Sequence, residues 1–293
     1  MKYTILYPAD FFDIKKADPD YEYEYLEAVK FPEFRTLFYN YDAFITGSKL
    51  TLYPPVTEGG LCIYRGWMLQ TDTYQELYDS LQKQGLTLIN SPIEYESCHE
   101  FPNSYPLIKE YTPRMISFHA GQLIDWNAVK AQLGRFMIKD YVKSVKGSDF
   151  PVYFDASYSS EEMDGYIARF IEMRGNLFVK GIVLKEFVDL KQYSGTTNEY
   201  RAFILNGKQL SLSENSNQPA GTPVPKDLAG CLPQLKSKFY TVDLAELTSG
   251  EWTVIETGDG QVSGLSPGQD VQGYYKVLLG LLRDMSESME GGE

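Results

Sequence analysis

The stretch that most narrows the fold is YTVDLAELTSGEWTVIETGDG, Tyr240 to Gly260. Two apolar runs flank Ser249-Gly250, a turn dipeptide, so the spacing predicts a β-hairpin. With those two residues at the centre of the turn, Asp243 lies opposite Glu256. Directly opposed residues share a face with Cβ atoms about 4.5–5.5 Å apart, where two like charges destabilise a sheet. A cation between them reverses the sign. Two carboxylates at that distance suit Mg2+, which takes few protein oxygens and leaves room for phosphates. An ordinary amphipathic hairpin with both acids in water is the competing reading.

The 293 residues are 43% hydrophobic and 23% charged, which gives two domains, or one with a large insertion, enough apolar material for a real core. A net charge of −13 argues against general affinity for nucleic acid or for an anionic membrane, where a basic face is expected. A local basic cleft stays compatible with it. Cys62, Cys98 and Cys231 are too few and too scattered for a disulfide framework or a zinc site, and they read as reduced, packed thiols. The histidines are His99 and His119, which leaves little from which to build a His-based metal site or a Ser–His–Asp triad. No leader-like or membrane-length apolar run occurs, so a cytoplasmic protein without membrane contact is expected.

In the first part, Met1 to about Phe118, Tyr3 to Tyr7, Gly47 to Tyr53 and Leu61 to Tyr64 read as strands, and 20–41 as partly helical. A helix over Thr73 to Gln84, with Thr73 and Glu76 as capping box and Gly85 as stop, leads into a strand at Leu86. Strand, Arg65-Gly66-Trp67, helix, glycine, strand is a βαβ unit with a parallel pair. Residues just past a strand's C-terminal end are where open α/β sheets bind ligands, which makes Arg65 and Trp67 candidates for substrate contact. A paired, snorkelling arginine is the alternative. The 90–113 segment carries four prolines and reads as a long connection or lid.

In the second part, Asp125 to Leu133 and Ser159 to Arg174 read as helices, the latter with Ser159 and Glu162 as capping box. RFMIKDY, Arg135 to Tyr141, is a strand with Lys139 on the face of Met137. A lysine in an apolar strand is costly unless it meets an anion. Lys143 and Lys146 follow beside Gly147, a pattern that fits a loop over phosphates or a solvated basic loop. LFVKGIVLKEFV, Leu177 to Val188, reads as nearly continuous strand with Lys180, Lys185 and Glu186. Asn206-Gly207 marks a hairpin over Asn198 to Glu214, with the fork-shaped cation Arg201 in its first strand. A Pro/Gly loop and the acidic hairpin follow. A helix striped by Tyr274, Leu278 and Leu282 closes the chain. Cations that neutralise phosphate followed by acids that hold Mg2+ describe a nucleoside triphosphate site, yet there is neither a P-loop nor a G-x-G-x-x-G.

This order of elements resembles the ATP-grasp superfamily, and within it a clade named for one arginine and two lysines. The segments that carry the resemblance are IYRGWML, FMIKDYVKS, IVLKEFVDL, NEYRAFILNGK and the acidic hairpin. The resemblance implies a mixed α/β and α+β fold. An N-terminal α/β domain (1–118) precedes an ATP-grasp domain (119–293), whose two α+β lobes, about 119–185 and 186–285, hold nucleotide between them. Residue by residue it implies that Lys139 contacts the α- and β-phosphates, while Lys143, in a loop that is lysine-rich where many relatives are glycine-rich, is carried as a phosphate contact from the residue reading alone. It places adenine beside Lys185 and the Glu186–Phe187–Val188 segment, with the Glu186 carbonyl and Val188 amide on its edge. Arg201 would contact the γ-phosphate or acyl group, and Asp243 and Glu256 would hold Mg2+. Many relatives carry Asn two residues after that Glu. Gly258 stands there in this chain, so Asp259 is carried as the substitute ligand.

The implied chemistry is ATP- and Mg2+-dependent carboxylate–amine ligation through an acyl phosphate, with Arg201 and Lys139 catalytic and Arg65 and Trp67 shaping the substrate site. Small-molecule or peptide carboxylates and amines are the implied substrates. Two alternatives stay open: an ATP-binding assembly chaperone with a protein partner, and a nucleic-acid end-processing ligase, against which the acidic charge weighs.

Overall fold

The computed structural model describes residues 2–145, 149–225 and 234–290. Lys146, Gly147 and Cys231 lie outside them, as does part of the Pro/Gly loop.

The first layer is a five-stranded sheet in the order β3-β2-β1-β4-β5. Its strands are β1 (Tyr3–Pro8), β2 (Phe34–Tyr39), β3 (Leu52–Tyr53), β4 (Gly60–Tyr64) and β5 (Leu86–Leu88), with helices α1 (Glu22–Ala28), α2 (Tyr41–Ile45) and α3 (Thr71–Gln82) between them. β1 runs parallel to β2 and β4, and β4 parallel to β5. The β4–α3–β5 segment is therefore the expected βαβ unit. The capping box expected at Thr73 does not form. α3 starts at Thr71 behind Gln70 without a side-chain cap, which puts Thr73 inside the helix rather than at its cap. The strand expected from Gly47 shrinks to β3.

The 90–113 segment is not a lid. It holds two helices, α4 (Pro92–His99) and α5 (Phe101–Ile108). Ser91 and Glu94 form a full capping box, with Pro92 in the first turn, where its missing N–H leaves no partner wanting. Two of the prolines thus start helices.

A three-stranded antiparallel sheet follows in the order β6-β8-β7. It is built from β6 (Met115–His119), β7 (Phe136–Asp140) and β8 (Gly181–Glu186), and is backed by α6 (Trp126–Leu133) and α7 (Ser160–Arg174). α7 has the Ser159–Glu162 capping box. The strand expected over Leu177 to Val188 is shorter. A 3-10 turn covers Gly175–Leu177, and Lys180 takes a positive φ of 56° that interrupts extension.

After a small hairpin, β9 (Gln192–Tyr193) and β10 (Thr196–Thr197), comes a four-stranded antiparallel sheet in the order β12-β11-β13-β14. It comprises β11 (Glu199–Leu205), β12 (Lys208–Glu214), β13 (Phe239–Glu246) and β14 (Trp252–Asp259). Asn206 and Gly207 both take positive φ, 49° and 74°, as a two-residue hairpin turn of this kind requires. Helix α8 (Val271–Glu290) ends the described chain.

The cores interlock. Tyr275, Leu278 and Leu282 of α8 pack with Ile5 and Phe38 of the first sheet and with Phe203 and Phe239 of the last. Cys98, Phe101 and Ile108 of α4 and α5 pack with Ala202, Val242 and Leu244. The acidic hairpin is thus clamped between elements from both ends of the chain. Cys62 and Cys98 are buried free thiols. No helix among the described residues is long and apolar enough to cross a membrane.

Candidate active site

Register builds the site. On adjacent strands, Arg201 pairs with Asp243 and Asp243 with Glu256, so one cation and two acids stand in a row across β11, β13 and β14. The row depends on a β-bulge. Near the turn Ala245 pairs with Thr253 and Leu244 with Val254, then Asp243 skips Ile255 and pairs with Glu256. Bulges re-aim groups beside sites, and here the Ile255 carbonyl accepts a hydrogen bond from Lys185 Nζ at 2.6 Å.

Arg201 donates from Nε at 2.8 Å and Nη2 at 2.6 Å to the two oxygens of Asp243, a fork-to-carboxylate match. Its Nη1 donates to the Gly264 carbonyl. Glu256 Oε1 meets Lys139 Nζ at 3.2 Å and Lys143 Nζ at 3.7 Å. Burial pushes the Glu256 carboxyl up, but Lys139 and Lys143 outweigh it and hold the group at about 2. A quarter of its side chain, 26%, still faces the cleft, so the charge is accessible.

The opposite wall comes from β7 and β8. Lys185 pairs with Met137, and Lys139, two residues on from Met137, shares that face. Both ammoniums lie over the Phe101 ring, at 4.3 Å for Lys185 and 5.5 Å for Lys139. Lys139 and Lys185 are 5% and 3% exposed. Burial, and next to it the charge of Lys139, drive the Lys185 pKa well below that of an ordinary lysine. An anion entering here would relieve that cost.

Two connected spaces result. A cleft of about 530 Å3 is lined by Lys139, Lys185, Glu186, Phe187, Val188 and Glu256, among others. Phe187 is fixed by its amide on the Arg135 carbonyl and by its ring against Tyr153, 4.9 Å away. Glu186 is bound through its carboxylate to Arg114 at 2.7 Å. A smaller space of about 100 Å3 holds Arg201, Asp243, Thr241 and His99. Lys143 and Glu256 line both spaces.

Three of the residues expected at the site are elsewhere. Arg65 is fully buried and its fork grips Glu24 at 2.7 and 2.8 Å. Its Nη1 donates to the carbonyls of Gly260 and Ser263. It is a structural clasp between the first sheet and the segment after β14, and it has no surface to offer a substrate. Trp67 is wedged between Tyr21 and Tyr41, with ring centroids at 5.3 and 4.8 Å, and its neighbour Met68 lines the small space instead. Asp259 sits an odd number of residues from Glu256, hence on the other face of β14. It is fully buried and accepts from Asn90 Nδ2 at 2.5 Å and Gln261 N at 2.8 Å. Burial pushes its carboxyl up to about 6, with those hydrogen bonds opposing.

Sequence reasoning passed over His99. It lines the smaller space, 8% exposed, against the Tyr95 ring at 4.8 Å. Burial and the Lys143 charge lower its pKa to about 3, so it is neutral at ordinary pH. Its signal was the Ser91–Glu94 capping box, which would have placed it at a helix end. As donors for a metal ion, the row offers Asp243 and Glu256. Among the described residues no three His, Cys, Asp or Glu side chains converge. Two carboxylates beside a cationic cleft fit Mg2+, whose other ligands are commonly water and phosphate.

The fold has solved relatives. A D-alanine–D-alanine ligase from Bacillus anthracis complexed with ATP matches with a TM-score of 0.57 at 13% identity, over 98% of this chain and 99% of that one. A D-cycloserine synthetase matches with 0.59 at 12%, over 96% and 99%. A RimK domain ATP-grasp protein from Sphaerobacter thermophilus DSM 20745 matches with 0.58 at 16%, over 94% and 99%. At these identities the likeness is one of fold. No curated protein sequence matches the chain. The sequence model of an ATP-grasp domain, R2K clade family 3, matches residues 127–278, the span that carries the lysines, Arg201 and both acids. The chain belongs to the R2K clade, family 3, of ATP-grasp domains.

Proposed function

We propose that the connected spaces bind ATP with Mg2+ and that the protein is an ATP-dependent carboxylate–amine ligase working through an acyl phosphate. The observation that carries this reading is the Arg201–Asp243–Glu256 row facing Lys139, Lys143 and Lys185 across shared space. Two of the solved fold relatives support it, one complexed with ATP and one with Mg and ADP. In this reading adenine lies along Glu186, Phe187 and Val188, between lobes of about 119–185 and 186–285, with 1–118 as the preceding domain. Lys139 and Lys143 neutralise phosphate oxygens, and Arg201 turns from Asp243 to the transferred phosphoryl group. Asp243 and Glu256 hold Mg2+, which supplies charge neutralisation on the triphosphate.

The substrate carboxylate attacks the γ-phosphorus and ADP leaves with the bridging oxygen. An amine then attacks the acyl carbon, phosphate departs with the electron pair of the broken C–O bond, and the proton lost by the nitrogen passes to solvent. Such a site acts by positioning and electrostatics. Every cation of the row and of the facing lysines contacts an acid, a carbonyl or a ring. Binding therefore exchanges internal partners for phosphate and metal. The test is ATP turnover with a panel of carboxylates and amines. Asp243→Ala with Glu256→Ala should abolish it, and a fully active double variant would sink the proposal.

A further inference from the structure

A third space, of about 390 Å3, opens between the first sheet's helices and the segment after α7. Met68, His99, Val142 and Lys143 line both this chamber and the small space holding Arg201 and Asp243, so a molecule seated in the chamber has one end at the proposed reacting centre. The volume is within the range of small-molecule sites. Its walls are mostly apolar and partly in contact with water. Ile45, Met68 and Leu177 keep 44%, 40% and 65% of their surface exposed although they come from three separate segments. Large apolar side chains left in contact with water around one concavity mark a ligand surface more than a packing accident.

The chamber is also sorted by charge. Among the described residues, its ionic lining groups are Lys143 and Arg174, and no carboxylate lines it. Arg174 is held in place by Asp140 at 2.8 Å and the Leu177 carbonyl at 2.9 Å. A cationic side chain would meet two positive groups and no partner. An apolar one would gain roughly 25 cal/mol for each Å2 it removes from water.

We infer that this chamber seats the body of the carboxylate substrate, and that the substrate is a carboxylic acid with an aliphatic or aromatic body and no free ammonium beside it, such as an N-acylated amino acid, its carboxylate reaching the Arg201–Asp243–Glu256 row. The inference rests on the ligase reading above and names its substrate class.

The test uses hydroxylamine as a generic amine. Its nitrogen displaces phosphate from an acyl phosphate, and the resulting hydroxamate is read by colour with ferric ion. The N-acetyl forms of leucine, phenylalanine and lysine are offered to the full chain with ATP and Mg2+. Leucine and phenylalanine forms should react, with lysine forms at least tenfold poorer. Leu177→Asp, and independently Ile45→Asp, should raise the KM for the apolar substrates by about tenfold or more and narrow the gap to lysine. The thermal shift with ATP and Mg2+ is read on every variant as a separate control. If that shift persists while hydroxamate forms from none of the panel, or equally from all, or without response to either variant, the chamber assignment is overturned and the nucleotide site stands. If the wild type shows no shift with ATP and Mg2+, both readings fall.

Discussion

Two arginine–carboxylate pairs in this molecule have nearly the same local geometry and opposite surroundings. Arg65 grips Glu24 at 2.7 and 2.8 Å, and Arg201 grips Asp243 at 2.6 and 2.8 Å. The first pair is sealed, with side-chain exposures of 1% and 0%, and Tyr275 donates a further hydrogen bond to Glu24 at 2.7 Å. The second pair keeps 19% and 8% exposed and lines a space shared with Lys143 and Glu256. Residue type and pairing do not distinguish a clasp from a site. Access does, because only a pair that opens onto a space can trade its partner for a ligand.

The sharpest way to break that contrast is stability. Removing one partner of a sealed pair strands a buried charge, so Arg65→Met should cost about 3–5 kcal/mol in chemical unfolding. Arg201→Met, beside a cleft that water can enter, should cost less than half as much. Equal losses would mean that both pairs are structural.

The next effect concerns pH and the two faces of β14. Asp259 has its carboxyl raised from 3.8 to about 6 by burial, so the folded state binds its proton more tightly than the unfolded chain does. Its contribution is fully present below about pH 3.8 and is lost as pH rises to about 6. Relative to Asp259→Asn, the wild type should lose up to about 3 kcal/mol over that window. Glu256 runs the other way. Burial opposes its ionisation, but the lysines lower it from 4.5 to about 2, so its contribution is present above 4.5 and lost as pH falls towards 2. Relative to Glu256→Gln, the wild type should weaken on acidification. Unfolding curves from pH 3 to 7 read both signs, and slopes of the same sign would contradict the assigned faces.

The smallest effect tests a helix in the segment that the sequence reading took for a long connection or lid. Ser91→Ala removes the α4 cap and should cost about 1 kcal/mol. It should also loosen the hold on His99, read as faster amide exchange over residues 92–99. An unchanged stability would mean that packing alone holds α4.

Much of the site was legible because strand physics is periodic. Lys139 stood out as a lysine in an apolar strand, and it faces the cleft. Asn206-Gly207 marked its turn. Asp243 and Glu256 are opposite each other as expected, though for an incomplete reason. The turn alone does not give that register, and the skipped residue at Ile255 restores it. A bulge has no clear sequence mark. Arg65 was misread because a strand-end arginine looks the same whether it meets solvent or a carboxylate more than forty positions away in the chain. Asp259 was misplaced because the expected metal substitution ignored alternation, which puts it and Glu256 on opposite faces. The helices of 90–113 were missed by counting prolines without asking whether each stood at a first turn.

The most direct test of the account is thermal unfolding of wild type and Asp243→Ala, each with and without saturating ATP and Mg2+. At ligand 100 times its Kd, the wild type should gain about 2.7 kcal/mol, a rise of several degrees. The variant should gain little although it folds. An equal rise in both proteins would remove Asp243 from the metal site. No rise in either would show that the row and the lysines hold only each other.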